Sequence, residues 1–260
     1  MQINKKTTIL VAAVTSLSFA SASWAASITL KYDGFVNGGK NGQITKTSPA
    51  PTFNNKKVSA GQFNFNVISS PDIAKWDNTL QAFCIDVDHW LKTNGNATYD
   101  IISATAPGGG LSNLQLAQVG WLFDHHASDL GNAKNDAAFQ LSLWEIFFET
   151  NLLLNLNLSN GTFKSDTFEN KSGTTKKLAN EFLKTITTDD TYRSSGWEFY
   201  VLNPDNPLDN QRLITWREKD PGNPPAEVSE PGTLLLLSLG LGAVFFCTRR
   251  RNRAYFSSFA

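Results

Sequence analysis

The stretch DAAFQLSLWEIFFET, residues 136–150, predicts a helix that packs against a large apolar surface. At about 100° per residue, seven apolar side chains cover one broad arc of it: Phe139, Leu141, Leu143, Trp144, Ile146, Phe147 and Phe148. Ser142, Glu145 and Glu149 occupy a narrow polar side. Gln140 falls near the centre of the apolar arc, where a primary amide without partners costs about 1–3 kcal/mol. We therefore expect another residue either to bond with the Gln140 side chain or to react with it.

The segments around this helix predict an α+β domain. Alternating apolar residues indicate strands at 28–32, 63–67, 83–87 and 152–158, and a closing hairpin formed by 198–202 and 211–216. Helical spacing indicates two more helices, at 114–125 and 176–187. Because these elements do not alternate regularly as βαβ units, we expect mainly antiparallel strands with about three helices.

Cys84 is a candidate reaction partner for Gln140. It lies on the face of its predicted strand opposite Phe83, Ile85 and Val87. Attack of its thiolate on the side-chain carbonyl of Gln140, with loss of ammonia, would form an internal thioester. Such a bond needs apolar surroundings that exclude water, and it holds an acyl group ready for an incoming amine or hydroxyl.

The two motifs resemble those of the thioester domains of bacterial surface adhesins. The first motif is an aromatic or apolar residue, cysteine and an apolar residue, matched by Phe-Cys-Ile at 83–85. The second is Gln-x-x-apolar-Trp on a helix, matched at 140–144. The resemblance implies that Cys84 and Gln140 form the bond, with Phe83 and Trp144 as supporting residues.

Two other interpretations of the pair remain open. Cys84 can be a small buried apolar residue, with Gln140 bonded to a backbone carbonyl or capping an edge.

Alternatively, Cys84 can be a nucleophile with His125 or His126 as its base, or a metal can bind these histidines together with Asp86, Asp88 or His89. Adjacent histidines project from different sides of a helix, and at its C-terminus they favourably cap carbonyls. We therefore expect neither an enzyme nor a bound metal or cofactor.

The charge balance excludes nucleic acid as a partner. The chain has 23 basic and 23 acidic residues, but residues 27–229 hold 17 basic against 22 acidic ones. The middle of the chain therefore has a charge of about −5, and its densest basic run lies outside, near the C-terminus.

The N-terminal segment, residues 1–25, predicts a secretory signal peptide. Lys5 and Lys6 precede a short apolar stretch at 7–20, and Ser23-Trp24-Ala25 ends it with small residues at the positions that signal peptidase reads. We expect cleavage after Ala25; an uncleaved anchor is the alternative.

The C-terminal segment predicts a membrane anchor. Residues 233–247, TLLLLSLGLGAVFFC, are 15 uncharged residues followed by a cluster of arginines: Arg249, Arg250, Arg251 and Arg253. With snorkelling arginines this run can cross a bilayer, and the positive-inside rule places the arginines in the cytoplasm. A buried core helix is the alternative.

The order Glu230-Pro231, apolar helix and Arg249, Arg250, Arg251 resembles the PEP-CTERM sorting tail of Gram-negative bacteria. The resemblance implies recognition and cleavage by an exosortase, an integral-membrane cysteine protease, in cells that export polysaccharide and build biofilm. The same tail type occurs on some ice-binding proteins, but no regular Thr-x-Thr repeat is visible here.

The sequence therefore predicts five parts: a signal peptide (1–25), a thioester-like ectodomain (26–216), a Pro-rich linker (217–231), a transmembrane segment (232–248) and a basic cytoplasmic tail (249–260). We expect an exported surface or matrix protein that attaches covalently to an amine- or hydroxyl-bearing partner after transient anchoring in the membrane. The alternative function is that of a non-covalent structural or carbohydrate-binding matrix protein.

Overall fold

The computed structural model describes residues 26–70, 76, 78–106, 109–153, 156–168, 174–208 and 210–219. Within these ranges the chain forms nine strands: β1 (Ala26–Phe35), β2 (Lys40–Lys46), β3 (Phe53–Ala60), β4 (Phe63–Ser69), β5 (Thr79–Cys84), β6 (Asn96–Ser103), β7 (Phe163–Phe168), β8 (Trp197–Pro204) and β9 (Leu213–Glu218). The same ranges contain three α-helices: α1 (Asn113–His126), α2 (Ala133–Phe148) and α3 (Thr174–Leu183). The predicted combination of antiparallel strands and three helices is confirmed.

Six strands close into an antiparallel barrel in the order β1-β4-β5-β9-β8-β6. The other three form a small antiparallel sheet in the order β3-β2-β7. The predicted closing hairpin is present as β8 and β9, which pair from Trp197 and Glu218 to Leu202 and Leu213. Because β9 continues to Glu218, it extends two residues into the segment predicted as linker.

The predicted membrane segments lie outside the described residues. These are the signal peptide at 1–25, the C-terminal span at 232–248 and the basic tail at 249–260. Among the helices of the described ranges, none has the length and apolar character needed to cross a bilayer.

Helices α1 and α2 begin at side-chain caps that the sequence supplies. Ser112 and Gln115 form a capping box at the start of α1, in which each side chain bonds the other's backbone N–H. The Asn132 side chain accepts from the N–H groups of Lys134 and Asn135 at the start of α2. These caps fix where the two helices start.

An aromatic layer joins the helices to the outer face of the barrel. Phe83 of β5 stacks on Phe139 of α2 at 5.0 Å between ring centroids and on Trp216 of β9 at 5.4 Å. Phe123 of α1 packs edge-on against Phe139 at 4.8 Å. Since successive strand residues point to opposite faces, Cys84 points away from this layer, toward the barrel interior.

The strand containing Cys84 ends earlier than predicted. The alternation predicted a strand over 83–87, but β5 stops at Cys84. Two residues later the Asp86 carboxylate accepts from the backbone N–H groups of Asp88 at 2.9 Å and His89 at 3.3 Å. This local side-chain bonding turns the chain out of the sheet, because it replaces the bonds that a neighbouring strand would make.

The strand predicted over 152–158 is absent from its described residues. Leu152 and Leu153 lie in a turn, and residues 156–158 lie outside any strand. The N–H of Asn157 bonds Glu145 Oε1 at 2.8 Å, and that of Leu158 bonds Asn180 Oδ1 at 3.0 Å. Side chains of α2 and α3 thus take the donors that a strand would use, and β7 begins only after the next turn.

Residues 136–146 of α2 are all buried, so the expected polar side is wrong at Ser142 and Glu145. Ser142 is fully buried and donates to the Ala138 carbonyl at 3.0 Å and to the Ala179 carbonyl of α3 at 3.3 Å. Glu145 is only 1% exposed, and its Oε2 has no hydrogen-bond partner in the described part of the chain. Helix α3 packs on the side of α2 that the sequence pattern predicted to be exposed to solvent.

Burial of Glu145 makes stability depend on pH. Burial raises the pKa of this carboxyl from 4.5 to about 8, so the folded protein holds it protonated at pH values where the unfolded chain ionises it. The free energy of unfolding should therefore fall as the pH rises from about 4.5 to about 8. We expect Glu145→Gln to remove most of this loss and to stabilise the protein increasingly across that interval, as measured by denaturant unfolding at a series of pH values.

Glu149, the C-terminal cap residue of α2, serves as a control of opposite sign. Its burial raises the pKa, but N–H donors of Thr162, Asn151 and Thr150 outweigh burial and lower the pKa overall. Glu149→Gln should therefore destabilise the protein at neutral pH, by an amount that shrinks as the pH falls through the lowered pKa. Parallel pH profiles for the two variants would contradict the assignment of Glu145 as a neutral buried acid.

Candidate functional site

The Gln140 side chain bonds both backbone groups of Cys84. Gln140 Oε1 accepts from the Cys84 N–H at 2.8 Å, and Gln140 Nε2 donates to the Cys84 carbonyl at 2.8 Å. Gln140 and Cys84 are each 1% exposed. The structure therefore brings together the two residues that the sequence singled out, through a buried reciprocal pair of hydrogen bonds.

This pair forms because β5 extends past the end of β4. The β4–β5 ladder ends with Phe63, the first residue of β4, opposite Ala82, so the backbone of Cys84 has no strand partner on that side. On its other side Cys84 pairs with Leu213 of β9. The Gln140 carboxamide has the same donor and acceptor as a peptide group, and it occupies the position where the next strand would continue.

The thiol of Cys84 is held by the turn that follows it. Cys84 Sγ donates to the Asp86 carbonyl at 2.9 Å, and the Asp86 N–H lies 3.3 Å from the same sulfur. Burial is the main cause that raises the pKa of the thiol, to about 12, while hydrogen bonds from Asp86 and Trp144 oppose the rise. The sulfur is thus protonated at neutral pH and shielded from solvent.

Trp144 lies one helical turn after Gln140 and is 3% exposed. Its ring packs edge-on near Phe163 of β7 at 6.4 Å. The indole Nε1–H makes no hydrogen bond of ordinary geometry among the described residues, although it lies close enough to Cys84 to favour the thiolate. The other predicted supporting residue, Phe83, lies on the outer face of β5, where its ring holds α2 against the barrel.

The loop after Cys84 is anchored by two lysines from the small sheet. Lys46 is fully buried, and its Nζ donates to both carboxylate oxygens of Asp88, at 2.5 and 2.6 Å. Lys56 Nζ donates to the Val87 carbonyl at 2.5 Å. These contacts fix the path of the chain beside the thiol, and the sequence patterns did not indicate them.

A second loop, before β9, is bonded to the first. Asn210 Oδ1 accepts from the Lys92 N–H at 3.0 Å, and Gln211 Nε2 donates to the His89 carbonyl at 2.6 Å. Two more buried polar atoms here have no partner among the described residues, Asn210 Nδ2 and Tyr99 Oη. Sequence reasoning missed these residues because nothing local distinguishes them from ordinary turn and strand positions.

The candidate histidines are not brought to Cys84. His125 Nδ1 contacts the Trp121 carbonyl at 2.9 Å, and His126 Nδ1 pairs with Asp129 at 2.9 Å. Within the described ranges, none of the contacts of these two histidines involves Cys84. They lie in the last turn of α1, as a C-terminal capping role requires.

His89 and Asp86 form a pair near the thiol. His89 Nδ1 lies 2.7 Å from Asp86 Oδ2. Asp88 is instead paired with Lys46, so the three candidate ligands do not converge. Groups of three or more histidine, cysteine or acidic residues that could hold a metal are absent from the described part of the chain.

The predicted sorting residues lie outside the described ranges, but a family model covers them. Residues 227–251 match the PEP-CTERM protein-sorting motif. This match includes Glu230, Pro231 and Arg249, Arg250, Arg251, so the predicted sorting tail is confirmed. A tail of this kind supports an exported surface protein.

Among solved structures, the chain is similar to bacterial surface domains. One is the N-terminal thioester domain of a surface protein from Clostridium perfringens, with 12% identity, coverage of 70% of this chain and 99% of that chain, and a TM-score of 0.38. A second is the N-terminal thioester domain of fibronectin-binding protein SfbI from Streptococcus pyogenes, with 12% identity, coverage of 71% and 96%, and a TM-score of 0.36. A third is the N-terminal domain of the Streptococcus pyogenes pilus tip adhesin Cpa, with 11% identity, coverage of 70% and 94%, and a TM-score of 0.39. No curated protein matches the chain.

The hydrogen bonds between Gln140 and Cys84 should make a measurable contribution to the free energy of unfolding. In a Cys84→Ala background, which excludes any covalent bond to the sulfur, we expect Gln140→Leu to lower the free energy of unfolding by about 2–5 kcal/mol. This is the cost of leaving one buried N–H and one buried carbonyl unpaired. Denaturant unfolding of the single and double variants gives the difference.

Gln118→Leu in the same background is the matched control. Gln118 is also a fully buried helical glutamine, but it donates to two carbonyls, of Leu152 and Thr187, and satisfies no N–H. Carbonyl groups tolerate a missing partner better than N–H groups do. A loss for Gln140→Leu no larger than that for Gln118→Leu would contradict the special role of the Gln140 bonds.

Proposed function

We propose that this chain is an exported surface protein whose folded domain forms a thioester between Cys84 Sγ and Gln140 Cδ. The bond then transfers the Gln140 acyl group to an amine or hydroxyl on a matrix or cell-surface partner. The observation that supports this most directly is the reciprocal pair of 2.8 Å hydrogen bonds that holds the Gln140 carboxamide against the residue that bears the thiol.

The same hydrogen bonds support the chemistry of thioester formation. As the sulfur attacks Cδ, negative charge develops on Gln140 Oε1, which already accepts from the Cys84 N–H at 2.8 Å. A fixed donor at such an oxygen stabilises the tetrahedral intermediate. Gln140 Nε2 leaves with the thiol proton as ammonia, so the new S–C bond replaces one C–N bond and the atoms balance.

Burial supports the persistence of the bond once it has formed. Both residues are 1% exposed, and the aromatic layer of Phe83, Phe139 and Trp216 closes the outer side of the strand. Exclusion of water protects a reactive acyl group from hydrolysis. Each chain would react once with its partner, so the proposed role is attachment and not catalytic turnover.

The sorting tail gives the proposed route to the surface. The PEP-CTERM match implies processing by an exosortase, and we propose that the apolar run at 232–248 anchors the chain in the membrane until that cleavage. The net negative charge of residues 27–229 is consistent with a protein or carbohydrate partner and not with nucleic acid. Surface or matrix attachment in a biofilm is the setting that we propose for it.

One observation favours a second candidate function. The Gln140 carboxamide already has partners for both its donor and its acceptor at Cys84, which is what a purely structural amide requires. In that case the pair only docks α2 on the barrel, and the protein is a non-covalent structural or carbohydrate-binding component of the matrix. The two candidates differ by one covalent bond.

Intact mass of the exported protein distinguishes them. We expect the wild type to be lighter by one ammonia than its sequence requires, and treatment with methylamine to add one methylamine to that mass. Cys84→Ala should show neither the deficit nor the adduct, because no thiol is present to displace the amide nitrogen. A wild-type protein of full sequence mass with one titratable thiol after unfolding would contradict the thioester and leave the structural role.

The sorting tail makes a separate prediction about the mature protein. In cells that contain an exosortase, we expect the surface form to lack Arg249, Arg250 and Arg251, as determined by C-terminal peptide mapping. Replacing both Glu230 and Pro231 with Ala should leave uncleaved protein in the membrane fraction, because the motif that the protease recognises is lost. Surface protein that retains the arginines would contradict exosortase processing without affecting the thioester proposal.

A further inference from the structure

The buried indole N–H of Trp144 makes no hydrogen bond of ordinary geometry among the described residues, although it lies near the Cys84 sulfur. Trp144 is 3% exposed, and its Nε1 is one of the few buried side-chain polar atoms that lack a partner. An unpaired buried donor is costly, and natural proteins retain few of them. The Trp144 donor differs from the equally unpaired N–H of Trp121 in its position beside Cys84.

Helix geometry places Trp144 on the same side of α2 as Gln140. Side chains four residues apart on a helix lie on the same face, so Trp144 follows Gln140 along the face of α2 that meets Cys84. Gln140 bonds the backbone of Cys84, and the indole N–H of Trp144 lies close enough to the thiol to stabilise its charged form. The Asp86 N–H approaches the same sulfur from the following turn, at 3.3 Å.

We propose that the Trp144 Nε1–H and the Asp86 N–H together donate hydrogen bonds to the Cys84 sulfur and stabilise its negative charge when the thioester is opened. This inference rests on the proposed function, and it assigns the group that controls the reactivity of the bond. Trp144 then acts on a reacting atom, beyond the packing role that its motif implies.

The step balances in atoms and charge. An amine nitrogen of the partner attacks Gln140 Cδ, a C–N bond forms, and the Cδ–Sγ bond breaks with its electron pair on sulfur. The proton that the amine loses returns to the sulfur, and the restored thiol donates again to the Asp86 carbonyl, 2.9 Å away. No oxidant or further reactant is needed.

The need for such donors follows from the burial of the sulfur. Burial raises the pKa of the Cys84 thiol to about 12 even though the Asp86 and Trp144 donors lower it, so without these donors the thiolate would be a still poorer leaving group. Two N–H groups directed at the sulfur stabilise the charge where it develops and only during the reaction. Thiol and thioester sulfurs are both weak acceptors, so the indole donor gains a strong partner only when negative charge develops on the sulfur.

Two replacements at position 144 test the role of the donor in the full chain. Trp144→Phe removes the N–H and part of the ring, whereas benzothienylalanine at the same position keeps the bicyclic shape and replaces only the N–H with sulfur. The wild type and both variants are first checked for the ammonia deficit by intact mass. The thioester forms are then mixed with methylamine, or left in buffer alone, and opening is followed by mass against time.

Loss of the donor should slow both reactions. We expect opening by methylamine and by water to slow about ten- to a hundredfold in both variants, the range for one hydrogen bond to a charged group. A Trp144 that only excludes water predicts the opposite for Trp144→Phe, because a smaller ring admits water and speeds hydrolysis. Wild-type rates in the benzothienylalanine protein would overturn the inference while leaving the thioester itself intact.

Trp121→Phe is the matched control. The Trp121 indole N–H is also buried without a partner, but this ring stacks on His125 and contacts Tyr192, away from Cys84. Its replacement should leave both opening rates within about twofold of wild type, a smaller change than the loss of one hydrogen bond to the charged sulfur would cause. A folded benzothienylalanine protein without any thioester, beside a Trp121→Phe protein that has it, also supports the inference, because only the N–H is lost and formation passes through the same sulfur anion. Absence of the ammonia deficit in the wild type would refute both the proposed function and this inference.

Discussion

The organisation of this domain depends on the hydrogen bonds between the Gln140 carboxamide and the backbone of Cys84. A helix that is apolar around most of its surface contains one amide that has to be satisfied, and a barrel strand that extends beyond its neighbour has one peptide N–H and one carbonyl that have to be satisfied. The carboxamide and the strand backbone satisfy each other's hydrogen-bonding groups. The result fixes both the position and the rotation of α2 on the barrel.

The remaining contacts around Cys84 hold the pair in place by different physical means. Aromatic stacking on Phe83 positions α2 from the outer face of β5, and Lys46 bonded to Asp88 fixes the chain beyond the strand. The thiol lies between these two supports, in a region where burial suppresses its ionisation. The proposed single attachment depends on this arrangement, a protonated and shielded sulfur beside an oriented carboxamide.

Predictions from the sequence succeeded where one local pattern decides the outcome and failed where a distant segment decides it. The three helices and the β8–β9 hairpin follow from periodicity over consecutive residues, and the structure has them. The strand predicted over 152–158 failed because side chains from α2 and α3 take its backbone donors. Glu145 was assigned to a polar side for the same reason: nothing in the α2 sequence shows that α3 covers it. Barrel closure and the small β3-β2-β7 sheet likewise depend on pairings between strands far apart in the chain.

The sequence by itself determined the sorting tail and the class of the fold, and it singled out Cys84 and Gln140 as a candidate pair. Each of these depends on residue type and short-range spacing: a Glu-Pro pair before an apolar run and arginines, alternating and helical periods, and a glutamine on an apolar arc. Only the tertiary structure decided how Gln140 and Cys84 meet, which groups surround the sulfur and which polar atoms stay unpaired. Those outcomes depend on where β4 stops relative to β5 and on which elements cover α2. Burial and hydrogen-bond satisfaction are properties of segments that come together only in the folded chain.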